Sequence, residues 1–274
     1  MRYLPPKMSQ DTKPIRVGGV EIGGSAFVVM AGPCSVESLP QFAQTADVVK
    51  KAGAVILRGG MFKLRTNPDS FQGMGQDAFS IVREVKARTG LQFVSEITDP
   101  RQVSDFTGLV DMFQVGSRNM HNYALLKELG QVQTPVLLKR GFSGLISEWL
   151  QSAEYIIKYG NPNVVLCERG IRTFETATRN TFDLNAIAYV KEHTSFPVIA
   201  DPSHATGAAS LVTPMALAAA AAGADGIIVE VHPDPTIALS DGFQALTPDM
   251  FRNLMARLER VLAALDRGLA KVNS

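Results

Sequence analysis

Short runs of β-branched and other apolar residues alternate along the chain with longer stretches in which apolar residues recur every three or four positions. The first pattern is typical of strands buried on both faces, and the second of amphipathic helices. About eight such units follow one another, and this alternation predicts a parallel sheet with helices packed around it. The predicted strands are Phe27–Ala31, Ala54–Arg58, Gln92–Glu96, Met112–Val115, Val136–Lys139, Val164–Cys167, Pro197–Ala200 and Gly226–Val231.

Both ends of this series carry a further pattern. The segment from Ile15 to Val29 reads as a short hairpin, because two glycine pairs supply turn signals between apolar residues. We expect this hairpin to cover one end of the barrel into which the eight predicted strands would close. Near the other end of the chain, spacings of three and four predict one helix with a single apolar stripe, formed by Phe251, Leu254, Leu258, Val261, Leu262, Leu265 and Leu269.

The number and order of the units predict the α/β class and a single (β/α)8 TIM barrel. A length of 274 residues is in the range of one-domain barrels. We expect a polar leader over residues 1–14 and one catalytic barrel, including its N-terminal hairpin, over residues 15–274. The competing architecture is a doubly wound open sheet, which would need a switch point in strand order and usually has fewer strands.

Composition and charge exclude several function classes. A formal net charge of +1 argues against the broad basic surface that nucleic-acid binding requires. The first residues lack the apolar stretch of a secretory signal, and no apolar run reaches the roughly 18 residues that span a bilayer. We therefore expect a cytoplasmic protein without nucleic-acid or membrane partners. In that reducing compartment the two cysteines, Cys34 and Cys167, should be unpaired.

Residues with metal-binding side chains lie at the ends of three predicted strands. Cys34 follows the first strand, His204 follows the seventh, Glu230 ends the eighth, and Asp241 comes shortly after it. These three strands are neighbours in a closed barrel, whose chemistry lies at the carboxyl ends of its strands, so the four side chains can converge. A sulfur, a nitrogen and two carboxylates suit a divalent transition ion better than Mg²⁺ or Ca²⁺. Mn²⁺, Fe²⁺, Zn²⁺ and Co²⁺ remain open.

Each candidate ligand has an alternative interpretation. Cys34 could be a small buried residue that packs as an apolar group, and His204 could be a histidine held by hydrogen bonds in a loop. His232 comes two residues after Glu230 and therefore shares its face of the last strand, which makes His232 a second-choice ligand. We expect His121 and His193, in predicted helices, at the surface.

Cationic residues lie at the ends of the other predicted strands. They form a candidate ring of anion binders consisting of Arg58, Arg118, Lys139, Arg140 and Arg169. The glycine-containing loop 59–68 adds Lys63 and Arg65, and Glu96 would lie among the cations and orient one of them. Most such charges are solvated surface groups, but several cations on one rim of a nearly neutral chain would focus an anionic substrate. Motifs of nucleotide hydrolysis and serine catalysis are absent from the sequence.

Four sequence blocks resemble those of the type Iβ 3-deoxy-D-arabino-heptulosonate 7-phosphate (DAHP) synthases. They are Ala-Gly-Pro-Cys-Ser-Val-Glu at 31–37, Phe-Lys-Leu-Arg-Thr-Asn-Pro at 62–68, Cys-Glu-Arg-Gly-Ile-Arg-Thr-Phe-Glu at 167–175 and Asp-Pro-Ser-His-Ala-Thr-Gly at 201–207. The resemblance implies a transferase that condenses phosphoenolpyruvate with erythrose 4-phosphate and water, giving DAHP and phosphate. This is the first step of the shikimate pathway to the aromatic amino acids.

The resemblance also implies roles for individual residues. The family's metal ligands correspond to Cys34, His204, Glu230 and Asp241. Its phosphoenolpyruvate-binding residues correspond to Arg58, Lys63, Arg118, Lys139 and Arg169, with Glu96 beside them. Its erythrose 4-phosphate element corresponds to Lys63, Leu64, Arg65 and Thr66. Among the possible ions we favour Mn²⁺, and Lys63 is our candidate donor of a proton to the aldehyde oxygen.

One position departs from the family pattern. Leu64 stands where the family has proline, which removes a rigid φ and frees an N–H beside the sugar site. The alternative function is therefore the same chemistry with another aldose phosphate, as in the sister family that makes 3-deoxy-D-manno-octulosonate 8-phosphate (KDO8P) or in a secondary-metabolism variant. We expect no added regulatory domain, and the resemblance implies a homotetramer or homodimer. Other metal-dependent aldolases or lyases, and a catalytically silent barrel, are the competing classes.

Overall fold

The computed structural model describes residues 11–65 and 67–271 and contains a closed parallel barrel, as the sequence predicts. Two short strands, β1 (Ile15–Val17) and β2 (Val20–Ile22), precede it. The barrel strands are β3 (Val28–Gly32), β4 (Ile56–Arg58), β5 (Gln92–Ile97), β6 (Met112–Val115), β7 (Val136–Lys139), β8 (Val164–Glu168), β9 (Val198–Ala200) and β10 (Gly226–Glu230). Each lies within two residues of a predicted strand, and β10 pairs with β3 to close the ring.

Helices surround the barrel and connect its strands. They are α1 (Leu39–Lys51), α2 (Ala78–Thr89), α3 (Val103–Phe106), α4 (Tyr123–Leu129), α5 (Ile146–Lys158), α6 (Leu184–His193), α7 (Pro202–Thr206), α8 (Ala209–Ala221) and α9 (Pro248–Ala264). Their buried faces pack on the outer face of the barrel around large side chains such as Trp149, Phe42 and Phe251. Among the described residues, no helix is long and apolar enough to cross a membrane.

The N-terminal hairpin covers the amino ends of the barrel strands, as expected. Strands β1 and β2 pair in antiparallel register, with Ile15 opposite Ile22 and Val17 opposite Val20. These four side chains are buried and form one apolar cluster with barrel-interior residues such as Val28. The hairpin therefore closes the end of the barrel opposite the carboxyl ends of the strands, and its own strands end at Ile22, well before the predicted limit of Val29.

Two details of the sequence-based prediction are wrong. Helix α9 ends at Ala264, so Leu265 and Leu269 do not continue its stripe. Leu269 instead bridges to Phe27 beside the barrel, because the chain turns back after the helix through Asp266, which has a left-handed φ of 54°. His121 lies in an exposed turn before α4 and not in a helix, whereas His193 is the last residue of α6.

Closure of the barrel leaves no room for a side chain at Gly226. A Cβ there would lie 2.2 Å from the carbonyl oxygen of Val28 on the neighbouring strand. We predict that Gly226→Ala lowers the free energy of unfolding by about 1–3 kcal/mol, because the two strands must separate to admit the methyl group. Urea unfolding followed by circular dichroism measures this loss. Gly268→Ala is the control, since nothing lies within 4 Å of its Cβ position; equal midpoints for both variants would contradict the prediction.

Candidate active site

A cavity of about 300 Å³ opens at the carboxyl ends of the barrel strands, and we call it the rim cavity. Seven cations and two carboxylates line it, so it attracts anions although the chain is nearly neutral. The cations are Arg58, Lys63, Arg65, Arg118, Lys139, Arg169 and Arg179, and the carboxylates are Glu96 and Asp241. Leu64 and His204 also face the cavity.

The four predicted metal ligands lie together on one side of the rim cavity. One donor atom each from Cys34, Glu230 and Asp241 lies within 4.8 Å of the others. Cys34 Sγ is 3.5 Å from Asp241 Oδ2. His204 Nε2 is 3.3 Å from Glu230 Oε1 and 3.9 Å from Asp241 Oδ2. The convergence inferred from barrel topology is therefore present.

The chemistry and spacing of these four groups fit a divalent ion. Ligand atoms bound to one tetrahedral ion at about 2.0–2.3 Å lie about 3.3–3.8 Å apart. The 3.5 Å between Cys34 and Asp241 and the 3.3 Å between His204 and Glu230 are within this range. Burial and the charge of Glu230 raise the pKa of the Cys34 thiol to about 12. A bound cation would relieve this crowding of acidic groups, because metal-bound thiols lose their proton.

The local sequence explains how Cys34 and Asp241 meet. A Cβ at Gly32 would lie 2.1 Å from the Arg58 carbonyl oxygen, so only glycine fits where β3 leads toward Cys34. On the facing loop, Asp241 adopts a left-handed φ of 49°, which is uncommon for a residue with a side chain. The hydroxyl groups of Ser35 and Ser240 hydrogen-bond at 2.6 Å and join the two loops directly beside these residues.

Two hydrogen bonds hold the Glu230 carboxylate in place. One comes from Gln244, which together with Arg179 was not predicted from the sequence. Arg58 Nη1 donates to Glu230 Oε1 at 2.6 Å, and Gln244 Nε2 donates to Oε2 at 2.7 Å. Gln244 in turn accepts a hydrogen bond from Arg179 at 2.8 Å. Burial raises the pKa of Glu230, but His204 and Arg58 outweigh burial and lower it to about 2. Gln244 and Arg179 lie in loops away from strand ends, so the strand-end rule could not find them.

Asp201 orients two of the predicted residues. His204 Nδ1 lies 2.8 Å from Asp201 Oδ2, and Lys139 Nζ donates to the same oxygen at 2.5 Å. Asp201 Oδ1 also accepts the backbone N–H of His204 and caps α7. Although burial raises the pKa of Asp201, the charges of His204 and Lys139 hold that pKa well below its usual range. Its place directly after β9 was a usable signal that the sequence analysis did not use.

The buried arginines of the predicted ring fall into two kinds. Arg140 pairs with Glu168 at 3.0 Å and with Asp183 at 2.8 Å, and it does not line the rim cavity. Its assignment as an anion binder is therefore wrong, because two carboxylates already neutralise it. Arg169 is 3% exposed and has no carboxylate within ion-pair distance among the described residues. Burial lowers the pKa of Arg169 to about 10, and the residue lines the cavity.

Lys63 lies between the two sides of the rim cavity. Its ammonium group donates to the Cys34 carbonyl oxygen at 3.4 Å. Burial lowers the pKa of Lys63, but the neighbouring Cys34 and Glu96 outweigh this and raise it overall. Lys63 therefore carries its proton at neutral pH.

The remaining predicted residues are only partly placed. Arg65, Glu96 and Arg118 line the rim cavity, while Thr66 lies outside the described residues. His232, the second-choice ligand, is not in the four-residue cluster. Its Nε2 faces Glu37 at 3.4 Å and its Nδ1 accepts the N–H of Asp234 at 3.1 Å, so the ring is directed away from the cluster.

Comparison with known proteins agrees with this geometry. Residues 8–265 match the model of the DAHP synthetase I family. A phospho-2-dehydro-3-deoxyheptonate aldolase of Thermotoga maritima is 45% identical over 92% of this chain and 74% of its own length. A 2-dehydro-3-deoxyphosphooctonate aldolase of Desulfatibacillum aliphaticivorans is 29% identical over 86% of this chain and 92% of its own.

Two solved structures share the fold over nearly the whole chain. The crystal structure of the Thermotoga maritima DAHP synthase has a TM-score of 0.93 at 42% identity and covers 98% of this chain and 80% of its own. A truncated form of 3-deoxy-D-arabino-heptulosonate 7-phosphate synthase from the same organism has a TM-score of 0.88 at 41% identity, covering 94% and 95%. The match in sequence extends across the barrel and both sides of the rim cavity, and this chain belongs to the DAHP synthetase I family.

Proposed function

We propose that this protein condenses phosphoenolpyruvate with D-erythrose 4-phosphate and water, releasing DAHP and inorganic phosphate. One observation carries the proposal: a cluster suited to a divalent ion shares a single cavity with a row of cations. We call Arg118, Lys139 and Arg169 the cation wall. Family membership supports the same reaction, as does the name of the Thermotoga maritima relative. The product would enter aromatic amino acid synthesis.

Phosphoenolpyruvate would bind against Arg118, Lys139 and Arg169, of which the two arginines have no carboxylate within ion-pair distance among the described residues. Arg118 and Arg169 offer guanidinium forks that match phosphate and carboxylate oxygens, and Lys139 lies in the same wall, oriented by Asp201. Arg58 is held by Glu230 and places its charge between this wall and the metal-ligand cluster. Glu96 would orient Lys63 among these groups.

Cys34, His204, Glu230 and Asp241 would hold the divalent ion, for which we favour Mn²⁺. When bound, such an ion acts as a Lewis acid toward a carbonyl oxygen. His204 is oriented for this role by Asp201, since the carboxylate fixes one ring nitrogen and leaves the other directed at the cluster.

Lys63 would donate a proton in the condensation. As C3 of the enol forms a bond to the aldehyde carbon of the aldose phosphate, the Lys63 ammonium group protonates the aldehyde oxygen. Water then adds to the cationic C2 centre and loses a proton, and the resulting hemiketal phosphate expels inorganic phosphate to leave the ketone. The cations of the wall stabilise the negative charge of the phosphate throughout.

The acceptor aldehyde is the second part of the proposal. Arg65 and Leu64 line the rim cavity. We assign Arg65, Thr66 and Lys63 to the aldose phosphate, because the family's element for this substrate corresponds to them. A second candidate function is the use of arabinose 5-phosphate, favoured by the similarity to 2-dehydro-3-deoxyphosphooctonate aldolases. Phosphate release from phosphoenolpyruvate with each aldose in turn distinguishes the two. A cytoplasmic location and a homotetramer or homodimer stay predictions.

Removal of the metal should abolish condensation. We predict that dialysis against a chelator stops phosphate release and that added Mn²⁺ restores it, because the ion that the four predicted metal ligands would hold would make the aldehyde carbon more electrophilic. Cys34→Ser should lower metal content at a fixed Mn²⁺ concentration. The matched control is Cys167→Ser, since Cys167 is also buried and unpaired but lies in the apolar barrel interior. Full activity of metal-stripped protein would refute the metal role.

Arg140 and Arg169 are both buried, but replacing them should have different effects. Arg140→Met leaves the fully buried Glu168 without its counter-charge and should cost about 3–5 kcal/mol of unfolding free energy. Arg169→Met leaves no carboxylate unpaired and should change stability far less, while raising the KM for phosphoenolpyruvate about 10- to 150-fold. Denaturant unfolding and steady-state kinetics measure both effects. Similar stability losses in the two variants would contradict the distinction.

Arg65 should discriminate between the two substrates. Replacing it with methionine removes a fork assigned to the aldose phosphate, so we expect the KM for erythrose 4-phosphate to rise far more than that for phosphoenolpyruvate. The control is Arg16→Met, an exposed arginine on the hairpin at the opposite end of the barrel. Equal losses for both substrates would overturn the assignment.

A further inference from the structure

Phe142 lies in the turn that follows β7, beside the cation wall. In barrel order β7 is between β6 and β8, whose ends lead to Arg118 and Arg169. The turn is fixed from several sides: Gly144 N donates to the Gly141 carbonyl at 3.2 Å, and Arg140 Nε donates to the Gly144 carbonyl at 2.9 Å. The backbone therefore presents the Phe142 side chain to the loops on either side.

Three guanidinium groups lie over the Phe142 ring. Their central carbons are 5.4 Å from the ring centroid for Arg118, 4.8 Å for Arg169 and 4.6 Å for Arg172. Arg172 also donates its backbone N–H to the Phe142 carbonyl at 2.7 Å, which ties the loop after β8 to this turn. Phe142, Arg118 and Arg169 line the rim cavity together.

The Phe142 ring holds three positively charged groups close together without a carboxylate. Three like charges repel one another, and no carboxylate lies within ion-pair distance of them in the part of the chain that the structure describes. A carboxylate would neutralise them and occupy their N–H groups. An aromatic face attracts a guanidinium through its quadrupole and leaves the N–H edges free.

We infer that Phe142 is a positioning residue for the anion-binding side of the site. Its ring holds the guanidiniums of Arg118 and Arg169 in place while their donors remain available to the phosphate and carboxylate of phosphoenolpyruvate. Arg172, which is exposed and outside the cavity lining, anchors the turn that carries the ring. This inference rests on the proposed function for the identity of the ligand.

The first test separates binding from turnover. Phe142→Leu keeps an apolar side chain but removes the ring, and it should raise the KM for phosphoenolpyruvate about 5- to 30-fold. The turnover number and the KM for erythrose 4-phosphate should change less than about twofold, and Phe142→Tyr should restore wild-type values because it keeps the aromatic face. The control is Phe79→Leu, since Phe79 packs edge-on against Phe106 at 5.7 Å and no arginine among the described residues stacks on it.

The second test asks whether Phe142 acts through Arg169. Calorimetry on metal-loaded protein gives the dissociation constant of phosphoenolpyruvate for each variant. In an Arg169→Met background the effect of Phe142→Leu should shrink to about 2- to 5-fold, because only Arg118 remains to be positioned. An effect of undiminished size would overturn the coupling.

Other outcomes are equally decisive. An unchanged KM in Phe142→Leu, or a loss spread equally over both substrates with a lowered unfolding midpoint, would overturn the positioning role. If wild-type protein released no phosphate from phosphoenolpyruvate and erythrose 4-phosphate, the proposed function would fail instead, and the calorimetric comparison would still test Phe142.

Discussion

The pairing of the last barrel strand, β10, with the first, β3, brings together residues from opposite ends of the chain. In this register Glu230 lies opposite Gly32, and the N–H of Val231 donates to the Gly32 carbonyl at 2.9 Å. Cys34 consequently meets Asp241, although 207 positions separate them in the sequence. A slip of one residue would turn Glu230 away from the cluster, since alternate side chains face opposite sides of a sheet. Closure of the ring thus determines the composition of the site.

The cations at the rim differ in whether a carboxylate neutralises them. Arg58, Lys139 and Arg140 each have a buried carboxylate partner, and these pairs hold the strand ends in fixed positions. Arg169 has none within ion-pair distance among the described residues and lies over an aromatic ring instead. A buried cation left unneutralised is costly to fold, and a bound anion recovers that cost. Such a site binds an anion strongly because no carboxylate in the described part of the chain neutralises the cation before the anion binds.

Sequence periodicity was sufficient for the barrel, because most strands are short apolar runs and helices such as α5 and α9 have one apolar stripe. Topology then placed Cys34, His204, Glu230 and Asp241 together, while their role as ligands stays a prediction. Sequence patterns did not place the residues whose positions depend on the backbone of a loop. Arg140 directly follows β7, but its side chain turns toward Glu168. Gln244, Arg179 and Phe142 reach the site from turns and loops, whose paths depend on tertiary contacts that no periodicity records.

The hairpin that covers the amino ends of the strands has an evolutionary consequence. It packs Ile15 and Ile22 against the barrel interior at the amino ends of the strands, opposite the loops that carry the chemistry. Substitutions in those loops can therefore accumulate without disturbing the packing of the hairpin on the barrel. A relative named for a different phosphorylated keto acid retains 29% identity with this chain, as expected if divergence of the reaction was compatible with inheritance of one scaffold.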